Sequence, residues 1–126
     1  MRNMSFALTK TQIIEQTKTV TRRMGWLNLR VGDLVQPVEK CMGFKKGETV
    51  KKIGGPIRIK SVRREPLMSI TDEECVLEGF PEMSPHEFTG MFMMANNCPH
   101  DVAVTRIEFE YVDPRQREVT KEREDV

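Results

Sequence analysis

The sequence predicts a mixed α+β domain, a small sheet or barrel flanked by about three helices. Three observations carry that expectation. Extended segments with period-two alternation dominate the chain, three stretches carry helix start signals, and no strand–helix–strand repetition of a parallel α/β fold is present. At 126 residues, the chain is long enough for a single domain with a sizeable core. The domain should span residues 1–112, with a charged tail over 113–126.

Ser5-Phe6-Ala7-Leu8 reads as a short opening strand. Thr9-Lys10-Thr11-Gln12 has the form of a capping box, and Ile13 and Ile14 give the helix that follows a small apolar stripe. That helix should stop near Thr17, because the β-branched Thr19-Val20-Thr21 disfavours its continuation, so residues 19–24 are expected to be a strand. Gly32-Asp33 makes a turn, after which Leu34 to Lys40 resumes extended character, with Pro37 arguing for an edge or a bulge. Gly43 to Glu48 reads as a basic loop, and Gly54-Gly55-Pro56 breaks the chain before Ile57 to Val62, a half-buried strand. Arg63 to Leu67 is expected to leave the sheet.

Two better-marked helices follow. Thr71-Asp72-Glu73-Glu74 is a capping box with acids in the first turn, and Gly79 is a natural stop just after Glu78. Ser84-Pro85-His86-Glu87 combines a serine cap, proline at the first helical position and a closing glutamate. Phe88, Met91, Phe92 and Ala95 recur at helical spacing before Asn96-Asn97, as core filler. Ala103 to Val112 alternates as a long final strand, with Ala103, Thr105, Ile107, Phe109 and Tyr111 expected to face the core.

Composition excludes several classes. Apolar residues make up 38% and charged residues 31%, a globular balance, and no stretch has the length of a membrane span or the apolar core of a signal peptide. The expected address is cytoplasmic. Cys41, Cys75 and Cys98 form no disulfide framework, and Cys98-Pro99-His100 lacks the second ligand pair of a zinc site, so no metal or cofactor is expected. Cys41 is expected to be a small buried residue. A net charge of +1 conceals polarity: residues 1–65 hold fifteen Lys/Arg against five Asp/Glu, and the remainder holds five against fourteen. If the halves formed separate faces, one would suit phosphate-bearing ligands; if they interleave, the charges cancel.

The run Lys18-Thr19-Val20-Thr21-Arg22-Arg23 concentrates an amine, hydroxyls and two guanidiniums at a helix-to-strand corner. Such groups hold anionic or polar ligands, and an amine beside a hydroxyl can carry out acyl transfer. Thr21 and Arg23 should point the same way on a strand. Trp26 could stack on a base or cap the core beside Leu27 and Leu29. Lys45, Lys46, Lys51 and Lys52 could follow a phosphate backbone or be plain surface.

Lys18 to Arg23, the Gly32-Asp33 turn and the terminal strand Thr105 to Val112 together resemble the ASCH domain family. Val38-Glu39-Lys40-Cys41-Met42-Gly43, followed by Lys45 to Glu48, is similar to its small single-domain members from bacteria and their phages. The resemblance implies a PUA-like fold, a small β-barrel with helices around it, over about Ser5 to Val112. The family motif Gly-x-Lys-x-x-Glu-x-Arg falls on Gln16, Lys18, Thr21 and Arg23, so two of its four positions depart. Threonine in place of the motif glutamate is shared by a branch that hydrolyses N4-acetylcytidine to cytidine and acetate. That branch implies Lys18, Thr21 and Glu78 as catalytic residues, with Glu74 as the fallback for the glutamate. Lys18 would take the Thr21 proton if burial and the arginines lower its pKa, and Glu78 would give a proton to the departing amine. Arg22, Arg23, Trp26, Glu39 and Lys40 are the candidate ligand-binding residues.

The implied ligand is RNA or a modified nucleoside in a basic cleft, and the protein is expected to be a monomer or homodimer. The rival readings are an RNA-binding module without chemistry and a ribonuclease of the ASCH type.

Overall fold

The computed structural model describes residues 1–112, so the expected charged tail lies outside the described residues. Its elements run β1 (Arg2–Ser5), α1 (Lys10–Ile14), β2 (Val20–Arg23), β3 (Leu34–Val38), β4 (Ile57–Pro66), α2 (Asp72–Leu77), α3 (Pro85–Asn96) and β5 (Ala103–Tyr111), with a single 3₁₀ turn at Leu67–Ser69. The strands make one five-stranded sheet in the order β1-β3-β4-β5-β2. β1 runs parallel to β3 and every other pairing is antiparallel. The two edge strands, β1 and β2, do not pair with each other, so the sheet stays open where a barrel would have closed.

Several local expectations change. β1 lies three residues upstream of the predicted opening strand, with Ala7-Leu8 in a turn. Thr9 occupies the cap position of α1, but its side chain makes no capping bond. Gln12 instead donates its amide to the Gly79 carbonyl at 3.2 Å, tying α1 to the end of α2. Pro37 is not on an edge: β3 lies between β1 and β4. It is tolerated because the β3–β4 ladder covers only Leu34 and Val35, and beyond it the Pro37 carbonyl accepts from the Ile53 N–H at 2.9 Å. Residues 63–66 do not leave the sheet. β4 continues to Pro66, paired residue for residue with β5.

The helix signals of the second half are realised. Thr71 accepts from the Glu74 N–H, and Ser84 and Glu87 form a full capping box at the start of α3. Each face of the sheet carries its own core. Met4, Phe6, Val35, Ile57, Ile107 and Phe109 centre the first cluster. Leu67, Cys75, Phe80, Phe88, Phe92 and Val104 form the second, under α2 and α3. β5 is therefore buried on both sides between Val104 and Ile107, and the single-faced reading of that strand fails. Ala103 is exposed, whereas Val104 and Arg106 are covered because α2 and α3 pack on their face. No helix among the described residues is long and apolar enough to cross a membrane.

The corner between α1 and β2 is shaped by Gln16, whose φ of 61° lies in the left-handed region. A side chain there costs about 1–2 kcal/mol relative to glycine, partly offset by the entropy glycine loses on folding. Gln16→Gly should therefore stabilise the fold by about 0.5–1 kcal/mol. Thermal denaturation of the variant beside the parent, with a rise of a few degrees expected, measures this.

Candidate functional site

The register of the sheet creates an electrostatic problem. Arg22 on β2 sits opposite Arg106 on β5, and Arg106 sits opposite Arg63 on β4. Three arginines thus form a row across three strands, where like charges repel. The carboxylates that neutralise them come mainly from α2. Glu74 bridges Arg22 at 2.9 Å and takes a two-pronged bond from Arg106, while Glu65 of β4 binds Arg22 at 2.8 Å and Arg63 at 3.2 Å. The Arg106 hydrogen bonds, aided by Arg22, hold the Glu74 carboxyl below its usual pKa despite partial burial.

Glu78, the residue that ends α2, finishes the arrangement. One of its oxygens accepts from Lys18 Nζ at 2.6 Å and the other from Arg22 Nη1 at 3.1 Å. Lys18 also donates to the Glu78 backbone carbonyl at 2.9 Å, and the Thr19 N–H donates to the Leu77 carbonyl at 2.9 Å. The helix end is therefore fastened to the α1–β2 corner by both main chain and side chains. Gly79 permits the contact. Its φ is +95°, and a Cβ there would meet Gln12 Cγ at 2.8 Å and approach Lys18 Cβ at 3.4 Å.

Lys18, Thr21, Arg22 and Glu78 are all 4% exposed or less. Burial lowers the Lys18 pKa from its ordinary value; Glu78 opposes the shift, while Arg23 and Arg22 add to it. Arg23 lies on the opposite face of β2 from Arg22. Its Nε donates to Thr21 Oγ1 at 3.0 Å, and its guanidinium lies 4.6 Å from the centre of the Phe6 ring. Burial brings Arg23 down to about 10, which leaves it a cation at neutral pH. It has no carboxylate within ion-pair distance among the described residues.

These groups line one cavity of about 270 Å³ in the gap between the two unpaired sheet edges. Lys18, Thr21, Arg22, Arg23 and Glu78 give it a polar side, and Phe6, Phe80, Phe88, Met91 and Phe92 give it apolar walls. That volume lies at the small end for ligand pockets and suits a flat ring with a short substituent. An aromatic wall beside a few convergent polar groups binds such a ring by stacking and orients it by hydrogen bonds.

The other sequence candidates fall elsewhere. Arg22 lines the cavity, but its guanidinium is committed to three carboxylates. Glu39 and Lys40 line a neighbouring hollow of about 230 Å³ that shares Ala7 with the first. There Glu39 pairs with Lys10, and Lys40 pairs with Glu48 at 3.2 Å. Trp26 packs half-buried against the first core with the Arg2 guanidinium 4.0 Å above its ring, as a cap on the core and not an open platform. Cys41 is exposed, against expectation, because β3 ends at Val38 and the chain has already entered a surface loop. The two halves of the charge distribution also meet in the sheet. Arg22 pairs with Glu74 and Glu78, Arg58 with Glu110 and Lys60 with Glu108, so at these places the two halves interleave. No metal-competent cluster of His, Cys, Asp and Glu occurs among the described residues.

The fold is that of ASCH domains. The structure superposes on the ASCH domain from Lactobacillus crispatus JV V101 with a TM-score of 0.60 and 15% identity, over 86% of this chain and 77% of that one. It also matches protein EF3133 from Enterococcus faecalis V583, of the DUF984 family, with a TM-score of 0.58 and 14% identity over 93% and 80% of the two chains. No family model and no curated protein matches the sequence.

Removing the shared carboxylate should be costly, because it leaves Lys18 a buried cation with no carboxylate and takes one of the three that Arg22 holds. Glu78→Ala is expected to destabilise the protein by about 3–5 kcal/mol in urea denaturation. A loss under about 1 kcal/mol, the range of a surface ion pair, would contradict the buried geometry.

Proposed function

We propose that this cavity binds a modified nucleoside and hydrolyses an acyl amide on its base, with N4-acetylcytidine as the substrate class. The observation that carries the reading is the convergence of Lys18, Thr21 and Glu78 on one small aromatic-walled cavity. Residues 60 positions apart in the chain meet there at hydrogen-bond distance.

In this reading Thr21 Oγ attacks the acyl carbon while Lys18, in its neutral form, takes the hydroxyl proton. The Arg23 guanidinium, without a carboxylate of its own, stabilises the oxyanion of the tetrahedral intermediate. The C–N bond then breaks, and the proton passes from Lys18 to the departing amine, leaving an ester on Thr21. Water adds to that ester with its proton taken by Lys18, acetate leaves, and the proton returns to Thr21 Oγ. Glu78 is held by two cations and serves as the anchor of Lys18; the proton donor to the amine is the Lys18 ammonium.

A second reading is binding without chemistry. Lys18 gives two of its three N–H groups to Glu78, side chain and carbonyl, which is also what a purely structural helix cap would do.

Incubation of the protein with N4-acetylcytidine should yield cytidine and acetate. Lys18→Met and Thr21→Val should each lower the rate by at least about 100-fold. Binding with no conversion would establish the second reading and sink the first. Because Lys18 must be neutral to act, the rate should rise with pH along a limb centred below the ordinary lysine value of 10.5. A flat or falling profile across that range would remove Lys18 as the base.

A further inference from the structure

Arg22 carries a buried guanidinium that contacts three carboxylates, Glu65, Glu74 and Glu78, of which Glu78 also lines the cavity. Its Nη1 is spent on Glu78, and its Nη2 is shared by Glu65 and Glu74. Nε is buried with no hydrogen-bond partner, a cost that a side chain placed only for packing would not need to carry. Glu74 is in turn gripped by Arg106. Glu78 is consequently held at both oxygens, by Lys18 on the cavity side and by Arg22 on the sheet side.

We propose that Arg22, braced by Glu74 and Arg106, is a positioning residue that acts on Lys18 through the Glu78 carboxylate and does not itself touch the ligand. This assignment rests on the reading of Lys18 as the working base of the cavity. It replaces the expectation of Arg22 as a ligand contact. Two things follow from the geometry. With Oε2 fixed by Arg22, Glu78 cannot rotate away when the cavity fills, so Lys18 Nζ stays aimed at one place. The Arg22 charge also lies just across one carboxylate from Lys18, where it opposes the protonated amine, while Glu74 behind it offsets part of that effect. The charged or titratable groups that face Lys18 are Glu78 from the end of α2, Arg22 and Arg23 from β2, and Tyr111 from β5, whose hydroxyl donates to the Lys18 carbonyl.

The test follows the titration of Lys18 by NMR in protein carrying ¹³C-labelled lysine, with Lys18→Arg identifying the resonance. Arg22→Met removes a cation, and the Lys18 midpoint should rise by about one pH unit. Glu74→Gln removes an anion while leaving Arg22 in place, and the midpoint should fall. Opposite signs in the two variants are the expected signature. No shift in either, or shifts in the same direction, would make Arg22 a structural residue only and overturn the proposal. Should Arg22→Met fail to fold, Glu74→Gln decides alone by the sign of its shift. Where N4-acetylcytidine is hydrolysed, the rising limb of the rate profile should move with the same signs. If the parent protein shows no hydrolysis, the catalytic reading is lost, while the Lys18 titration still decides whether Arg22 acts on Lys18.

Discussion

The Glu78 carboxylate, shared between Lys18 and Arg22, is the interaction on which the rest of the site depends. An unpaired buried charge costs several kcal/mol, so Lys18, whose one carboxylate is Glu78, could not be tolerated where it sits without it. Their mutual satisfaction is what lets a lysine occupy the wall of an otherwise aromatic cavity. It also joins two distant parts of the chain, since Glu78 follows directly on α2 and β2 begins just after Lys18. A structural and a catalytic account of Lys18 therefore begin from the same contacts. They part only on whether the amine spends time unprotonated, which burial and the two neighbouring arginines favour.

The row of Arg63, Arg106 and Arg22 explains why α2 lies where it does. A six-residue helix is too short to hold itself by propensity, and only Cys75 of its residues is fully buried. Its position comes from Glu74 and Glu78 docking on the row, with Cys75 inserted into the second core. Because β2 is the edge strand, Glu78 reaches past it to Lys18 at the open margin of the sheet. The aromatic residues of α3 and the segment after β1 then wall off the gap. An open sheet with unpaired edges, in place of a closed barrel, thus leaves room for a cavity where the last ladder would have run.

Much of this was legible in the residues. Ser84-Pro85-His86-Glu87 announces α3, and the resemblance to ASCH domains points to Lys18, Thr21 and Glu78 together. What failed failed for tertiary reasons. Nothing local distinguishes Arg22, which faces the α2 side and is consumed by carboxylates, from Arg23, which faces Thr21 and keeps its charge for the cavity. The parity of a strand separates the two, but which face meets acids is decided by α2, some fifty residues later. The extension of β4 through Arg63 and Arg64 was hidden for a similar reason. A run of charges reads as an exit from a sheet unless its partners on β5 and α2 are already in view. The charge asymmetry along the chain is likewise broken locally, because antiparallel pairing placed Arg58 beside Glu110 and Lys60 beside Glu108.

The two departures from the ASCH motif are different in kind, and the structure separates them. Gln16 stands at the glycine position in a left-handed conformation, so the backbone geometry that glycine makes easy is kept at a cost in stability. Thr21 stands where the resemblance has glutamate and changes what Arg23 meets. A carboxylate there would meet Arg23 and claim its guanidinium; the threonine instead accepts one bond from Arg23 Nε, and no carboxylate among the described residues pairs with that cation. Strain that persists beside a buried lysine, where a one-residue change would relieve it, fits a corner held by its surroundings. Gly79 sits on the other side of Lys18 and cannot be exchanged so freely, since any side chain there would strike Gln12. The corner can therefore tolerate a costly residue at 16 but not at 79, because a side chain at 79 would press on Gln12 and Lys18 where the end of α2 meets the corner.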